Sequence, residues 1–488
     1  MMEKIHVFPP RYGPEWGSGG IFGLKYYKET LYFTVAFEAE AHFIRRDAEK
    51  IYRFEQVGYL PTSGGDTYNA VDAVDDSIFF GGWVHAPARY AGRVGRGGII
   101  YFYDKFSHVH EYDTREGSVR LLWKEGIGHE SEWAGEISNI LYDPVNDRLL
   151  LSRADGHRNL GVFALSTKGG KAERISENPS LKGALLGDYA CFDVMRDWRR
   201  GFEAIQCLDL VGGKWEVFDL DYAKSSVDSQ PTFFTMSGPA ISAYGRYMHF
   251  VRGGVVVGNP LNGEGLSFLR LFDFGLSGYG PLRTVATPVA GGVLVAFNAF
   301  THGVLYPRNE EEKESARAMN TIVGPSVLVY ITPPMARIVG AFGARITSIE
   351  NAGGRILLGT STTANYGALD AGPVDAGWKE VVSLDTSSLL NNQPPVTFKV
   401  DGTRILDMPW GGIPTYGYRV PWIVFSSSRE NKLAIYTYDF GLPVGKAEKD
   451  VVSLTRGKNV IDLNAYKGIV SFQLAEEDPE LTAKIILE

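Results

Sequence analysis

Short apolar runs broken by glycine-led turns recur along almost the whole chain. In the clearest units, a glycine turn opens an apolar strand, a short turn follows, and a second apolar strand returns. Gly19-Gly20-Ile21-Phe22 runs into Thr30-Leu31-Tyr32-Phe33-Thr34-Val35, and Gly135-Glu136-Ile137-Ser138 into Arg148-Leu149-Leu150-Leu151-Ser152. Gly343-Ala344-Arg345-Ile346-Thr347 runs into Arg355-Ile356-Leu357-Leu358-Gly359. Further strands alternate apolar and polar residues, as half-buried strands do: Gly161-Val162-Phe163-Ala164-Leu165, Trp215-Glu216-Val217-Phe218-Asp219-Leu220 and Lys432-Leu433-Ala434-Ile435-Tyr436. A strand-only unit repeating every 40–60 residues or about that predicts a β-propeller.

Opening turns mark eight units, near Gly19, Gly65, Gly135, Gly187, Gly238, Gly280, Gly343 and Asp401. The expectation is a single all-β propeller domain over residues 1–488, with eight blades favoured and seven the close alternative. A shorter stretch from Lys458 to Glu488 is expected to share a blade with N-terminal strands such as Ile5–Phe8 and so close the ring. One segment breaks the strand pattern. Residues 307–320 carry Glu–Lys and Glu–Arg spacings that predict a short charged helix, read as a solvated insertion or as a lid over the ring mouth.

The chain has 57 glycines, 25 Tyr, 27 Phe and 9 Trp, which suits a large, turn-rich β protein. Its net charge is −8, without the basic excess that binding a nucleic-acid backbone requires. Two cysteines, Cys191 and Cys207, exclude a disulfide framework; a single bridge stays open, and both lie in predicted strands where they would pack inside a blade. The start lacks the long apolar core of a signal peptide, and no run is long enough to span a membrane. The expected setting is cytoplasmic, without a membrane partner.

Propeller geometry places a site before chemistry is considered. The starts of first strands and the ends of second strands converge at one mouth of the ring, a concave place that favours ligands. Three carboxylates follow glycines at predicted first-strand starts: Asp66, Glu136 and Asp188. Carboxylates held together push their pKa values apart, so that one serves as an acid while another stays ionised, which glycoside cleavage needs. The competing role for each is to cap its own turn by accepting backbone N–H bonds.

The predicted ends of second strands add Glu38, Glu40 and His42, then Trp83 and His85, then Arg153, Asp155 and His157, then Asn298 and His302. The loop holding His129, Glu132 and Trp133 feeds the same mouth. Trp beside carboxylates, Asn and Arg suits a sugar, which stacks on an aromatic face and needs bidentate polar partners. No cofactor is required; His85, His157 or His302 could instead contribute to a transition-metal site. His108 and His110 share one strand face in a predicted outer strand, where an exposed pair is expected. The basic glycine-rich run Gly92–Gly98 lacks any phosphate-loop spacing, although Arg89, Arg93 and Arg96 could reach an anion if it folded over the mouth.

Pro9-Pro10-Arg11-Tyr12-Gly13-Pro14-Glu15-Trp16-Gly17-Ser18-Gly19-Gly20 and Gly81-Gly82-Trp83-Val84-His85-Ala86-Pro87 resemble segments of a propeller-like family of unknown function from hyperthermophilic archaea. The resemblance implies a heat-stable cytosolic protein and transfers no catalytic residue. The residues themselves favour a carbohydrate-active enzyme, glycoside hydrolase-like, acting on a small molecule or oligosaccharide. Asp66, Glu136 and Asp188 would be acid, base or nucleophile, and Trp83 and Trp133 stacking walls. The alternatives are a non-enzymatic interaction scaffold and a metal-dependent lyase or oxidase.

Overall fold

The computed structural model of the chain describes residues 3–488 except 9–19, 47, 95–96, 102–104, 127–134, 155–159, 197–200, 221–226, 228–236, 276–278, 299–322, 362–378 and 392. For 89–94, 97–101 and 237 it describes the backbone alone. Among the described residues, seven antiparallel sheets of four or five strands follow one another through the first four-fifths of the chain, with a two-stranded hairpin, Arg89–Val94 and Gly97–Tyr101, beside the second. The first consists of Ile21–Tyr27, Thr30–Val35, Glu40–Arg45 and Ala48–Tyr52, each paired with the next. In the second, the first strand is split into Ser63–Gly65 and Val71–Val74, both paired with Ser77–His85; Lys105–Asp113 and Ser118–Gly126 complete it. The third runs Glu136–Asp143, Arg148–Ala154, Gly161–Ser166, Glu173–Ser176, and the fourth Gly183–Leu186, Tyr189–Val194, Ala204–Asp209, Trp215–Asp219. The fifth starts at Ser237–Ala243, the sixth at Ala286–Val289 and the seventh at Arg345–Asn351.

First strands of successive sheets pack side by side, and the first sheet lies against the seventh. Leu24 N donates to Ser348 Oγ at 3.0 Å, and Gly23 N donates to Asn69 of the second sheet at 2.8 Å. The arrangement is propeller-like. Its two ends differ. First and second strands are joined by tight turns, Lys28-Glu29, Asp75-Asp76, Gly187-Asp188, Tyr244-Gly245 and Ala290-Gly291. Second strands end where first strands begin, and the described segment Asp66–Ala70 lies at that end.

Two sequence expectations need correction. The N-terminal strand Glu3–Phe8 pairs with Lys379–Asp385 of the seventh sheet, from Glu3 opposite Ser383 to Phe8 opposite Lys379. That occupies the edge the C-terminal strands were expected to join. The stretch from Asp401 is not an eighth unit of the same kind. Its strands interleave into two further sheets, Val396–Asp401, Thr482–Leu487, Trp422–Ser427, Gly457–Asp462 and Trp410–Pro414, Ile469–Leu474, Asn431–Tyr438, Glu448–Leu454. Trp410, Phe425 and Phe472 meet between them, in a hydrophobic cluster continuous with the fifth and sixth sheets. Alternating apolar residues specify a half-buried strand but not its partner, so hairpin counting carried on past the last ring sheet.

The described helices are short, Thr386–Asn391 and Gly402–Ile405. The predicted helix at 307–320 lies outside the described residues. Cys191 and Cys207 stand directly opposite each other in the fourth sheet, both buried and joined by a disulfide. His108 and His110, expected to be exposed, are fully buried. Lys105–Asp113 is the third of four strands, and Tyr52 of the first sheet and Phe54, just beyond it, close over the pair. Their Nδ1 atoms are 3.0 Å apart, which requires one ring to donate and the other to accept. Burial holds His108 down at about 3 and His110 well below its usual range. Among the described residues no helix is long and apolar enough to cross a membrane.

Candidate functional site

The five residues that interrupt the second sheet's first strand, Asp66 to Ala70, link that sheet to five others. The Asp66 carboxylate accepts from the backbone N–H of Tyr68 at 2.7 Å through Oδ1 and of Ala70 at 2.7 Å through Oδ2, folding the segment on itself. Thr67 Oγ1 donates to Glu136 Oε1 in the third sheet. Lys182, next to the first strand of the fourth sheet, donates to the Tyr68 carbonyl. Arg283, just before the sixth, donates to the Tyr68 hydroxyl at 2.9 Å and lies over its ring at 4.1 Å. Asn69 Nδ2 donates to the Thr347 carbonyl of the seventh at 2.9 Å, while its Oδ1 holds Gly23 of the first. Gly23 has φ 65°, which strains an L side chain, and a Cβ there would stand 3.1 Å from both Asp66 Oδ2 and the Tyr32 ring and press on them.

These groups are buried. Asp66 and Glu136 are each 1% exposed, Arg345 1%, Arg283 3% and Lys182 6%. Arg283 Nη1 lies 3.9 Å from Glu136 Oε1. Burial pushes the Asp66 carboxyl up to about 6, against the pull of backbone N–H groups and the Lys182 ammonium. Burial likewise brings Lys182 down to about 8, opposed by Asp66, Asp193 and Glu136. Arg345, the first residue of the seventh sheet, is brought down to about 9 by burial and then by the like charge of Arg283. An acid and a base displaced toward each other in a water-poor centre can exchange a proton near neutral pH.

The structure brings two of the three expected carboxylates, Asp66 and Glu136, to this centre. Asp188 is elsewhere. Gly187-Asp188 is the tight turn between the first and second strands of the fourth sheet, so Asp188 is exposed at the opposite end of the ring. The glycine there marks the wrong turn of its unit, and Lys182 occupies the position expected for an acid.

Several binding candidates turn out to be ties between sheets. Arg153 is 1% exposed, donates to Ser107 Oγ at 3.1 Å and Glu125 Oε2 at 2.7 Å, and lies over Trp123. Asn298 imitates a strand, exchanging 2.8 Å bonds with the backbone of Ile346. Glu38 accepts from Lys379 at 3.1 Å, joining the first sheet to the seventh. Glu40 opens the first sheet's third strand and accepts from Arg53 at 3.2 Å. Trp83 is 5% exposed, with Lys105 over its ring at 4.8 Å and Phe37 and His85 at its edges, so it does not present an open stacking wall. His85 is buried at the end of its strand. Glu132, Trp133, Asp155, His157 and His302 lie outside the described residues. Among the described residues no three His, Cys, Asp or Glu side chains gather as a metal site.

Sequence reasoning missed Thr67, Tyr68, Lys182, Arg283 and Arg345. A charged residue at or just before a predicted first strand was the available signal, in Lys182-Gly183 and in Gly343-Ala344-Arg345, and it was followed only for acids.

Fold and centre together define an all-β, propeller-like protein with charged side chains buried where its first strands begin. The chain belongs to the family described as an uncharacterized protein conserved in archaea (DUF2139), whose model matches residues 31–369. That span lies within the ring sheets and stops short of the two C-terminal ones. No curated protein matches the chain in sequence. Among solved structures it is similar to an exo-β-1,3-galactanase of Phanerochaete chrysosporium with galactose, at 8% identity and a TM-score of 0.30 over 87% of this chain and 96% of that one. It is also similar to a puromycin hydrolase, at 14% and 0.42 over 78% and 55%, and to the dihydro-heme d1 dehydrogenase NirN, at 11% and 0.34 over 80% and 76%. Scores of this size carry no argument about activity.

Proposed function

We propose that the protein is a carbohydrate-active enzyme, glycoside hydrolase-like, working at the ring end where the first strands begin. One observation supports this: Asp66, raised to about 6, is followed by Thr67, which donates to Glu136, itself within ion-pair reach of Arg283. Two carboxyls in different environments are what glycoside cleavage uses, one as proton donor and one ionised. Asp66 takes the donor role and Glu136 that of base or nucleophile. The test is turnover of a glycoside and oligosaccharide panel by the full-length protein and by Glu136→Gln. Loss of about 10²–10⁴ in rate with an unchanged melting temperature is expected from removing an acid–base group. Turnover that survives Glu136→Gln would sink the assignment.

A second reading, a non-enzymatic scaffold, is favoured by a specific observation. Both Asp66 oxygens are engaged by backbone N–H groups, and Arg153, Asn298 and Glu38 tie sheets together. Absence of any turnover, with partner binding abolished by substitutions on the rim, selects it. Metal analysis of the same preparation tests the lyase or oxidase alternative, in which His85 acts with His157 or His302. A stoichiometric transition metal lost in His85→Ala would establish that reading.

A further inference from the structure

The second of the two C-terminal sheets has one covered face and one open one. Along Asn431–Tyr438, Leu433 and Ile435 are buried in the hydrophobic cluster, while Lys432, Ala434 and Tyr436 alternate with them on the other face. The register sets Lys432 opposite Ser453, Ala434 opposite Val451 and Gln473, and Tyr436 opposite Lys449. Ala434 is thus a short side chain between two long ones, and Val451 beside it is 52% exposed. The result is a depression of about 270 Å³, with Ala434 and Val451 as its floor and Lys432, Lys449, Gln473 and Asp407 around it.

Its polar groups divide into engaged and free ones. Gln473 accepts from the Tyr436 hydroxyl at 2.8 Å and donates to the Asp407 carbonyl at 2.9 Å, which fixes its amide. Lys449 lies over the Tyr436 ring at 5.3 Å. Among the described residues neither Lys432 nor Lys449 has an anionic partner, and the Asp407 carboxylate has no donor. Each lysine stands two residues along its strand from the Ala434–Val451 pair, about 7 Å, so both arms reach over the apolar floor.

Two unpaired cations flanking an apolar floor favour an anion. Lysine is a point charge on a flexible arm, which suits the several oxygens of a phosphate. A carboxylate is matched better by a guanidinium fork, and no arginine lines the depression. The ionised Asp407 carboxylate only accepts hydrogen bonds, so it calls for hydroxyl groups on the same ligand. The volume lies just under the roughly 300–1,000 Å³ of pockets for drug-sized ligands, so the ligand is small.

We infer that this depression binds a small phosphorylated polyol, with Lys432 and Lys449 receiving the phosphate and Asp407 a hydroxyl. None of its lining residues belongs to the ring sheets, and all lie beyond residues 31–369 of the family match. The inference does not rest on the enzyme reading.

The experiment is calorimetric titration of the full-length protein with glycerol 3-phosphate, ribose 5-phosphate and glucose 6-phosphate, their unphosphorylated counterparts, and inorganic phosphate. At least one ester is expected to bind about ten-fold or more tightly than both its counterpart and inorganic phosphate, and more weakly at high salt. Lys432→Met and Lys449→Met should each weaken that ester about five-fold or more with an unchanged melting temperature, since both side chains are exposed. Asp407→Ala should narrow the ester's advantage over inorganic phosphate. Should a lysine variant fail to fold, protection of Lys432 and Lys449 from acetylation by the bound ester, read by mass spectrometry on the wild type, gives the same comparison. Absence of ester binding overturns the inference and leaves Lys449 as a charge guarding an edge strand. Inorganic phosphate binding as tightly as the esters overturns it by showing a simple anion site. Equal binding of the unphosphorylated counterparts, an advantage unchanged in Asp407→Ala, or ester binding that survives both lysine changes overturns it as well.

Discussion

Asp273 and Asp66 are both buried carboxylates, and the protein treats them differently. Asp273 stands where the fifth ring sheet meets the C-terminal sheets. It pairs with Arg270, accepts Gly275 N at 3.1 Å and faces Arg252, while its backbone bonds Gly411 in both directions, at 2.8 and 2.7 Å. The Tyr438 hydroxyl closes the junction by donating to the Arg270 carbonyl at 2.9 Å. Here charge is buried beside opposite charge, and the result is a joint. At the ring centre, Asp66 is held by backbone amides and displaced upward, beside a lysine displaced downward. At the junction an opposite charge sits against the buried carboxylate, whereas at the centre backbone N–H groups hold it and a buried lysine stands nearby.

The largest effect should come from breaking the junction. Asp273→Ala takes the buried carboxylate away from Arg270 and Arg252, and a loss of about 3–5 kcal/mol is expected in denaturant unfolding. Ligand binding at the ring end should be unchanged in the protein that remains folded. A wild-type midpoint would remove the contrast.

A smaller and pH-dependent effect is expected at the centre. Because the folded pKa of Asp66 is raised, the folded state takes up a proton that the unfolded chain does not bind until lower pH. Its contribution therefore rises as pH falls from 7 to 5, by about 1 kcal/mol, and is lost as pH climbs through 6. His108 and His249 oppose it, since buried neutral rings lose stability as pH falls below their unfolded value. The quantity to read is the difference between wild type and Asp66→Asn across that range. A difference independent of pH would mean that Asp66 titrates normally.

The smallest effect should be that of Asp188→Asn. An exposed turn residue at the opposite end of the ring should change stability by under about 0.5 kcal/mol and leave binding and turnover intact. Loss of function there would relocate the site.

The strands, most of their hairpins and the shared end of Asp66 and Glu136 were legible along the chain. Each follows from local pattern: glycine where the chain turns, apolar residues at period two, and the rule that first-strand starts meet second-strand ends. The same pattern could not tell Gly187, inside a hairpin, from Gly135, before one. It could not separate a ring sheet from the interleaved sheets after Asp401, since both use half-buried strands. Nor could it show that Arg153 and Asn298 spend their polar atoms on neighbouring sheets.

What the sequence by itself determined is the β-rich class, the unit repeat and the presence of Asp66 and Glu136 at one end. Side-chain alternation and turn chemistry are short-range, so they are written in consecutive residues. Tertiary structure alone decided that Glu3–Phe8 completes the seventh sheet, that His108 and His110 are buried, and that Lys182, Arg283 and Arg345 join the two carboxylates around Tyr68. Those relations link residues far apart in the chain. Their energies depend on how completely water is removed, which no single stretch of sequence records.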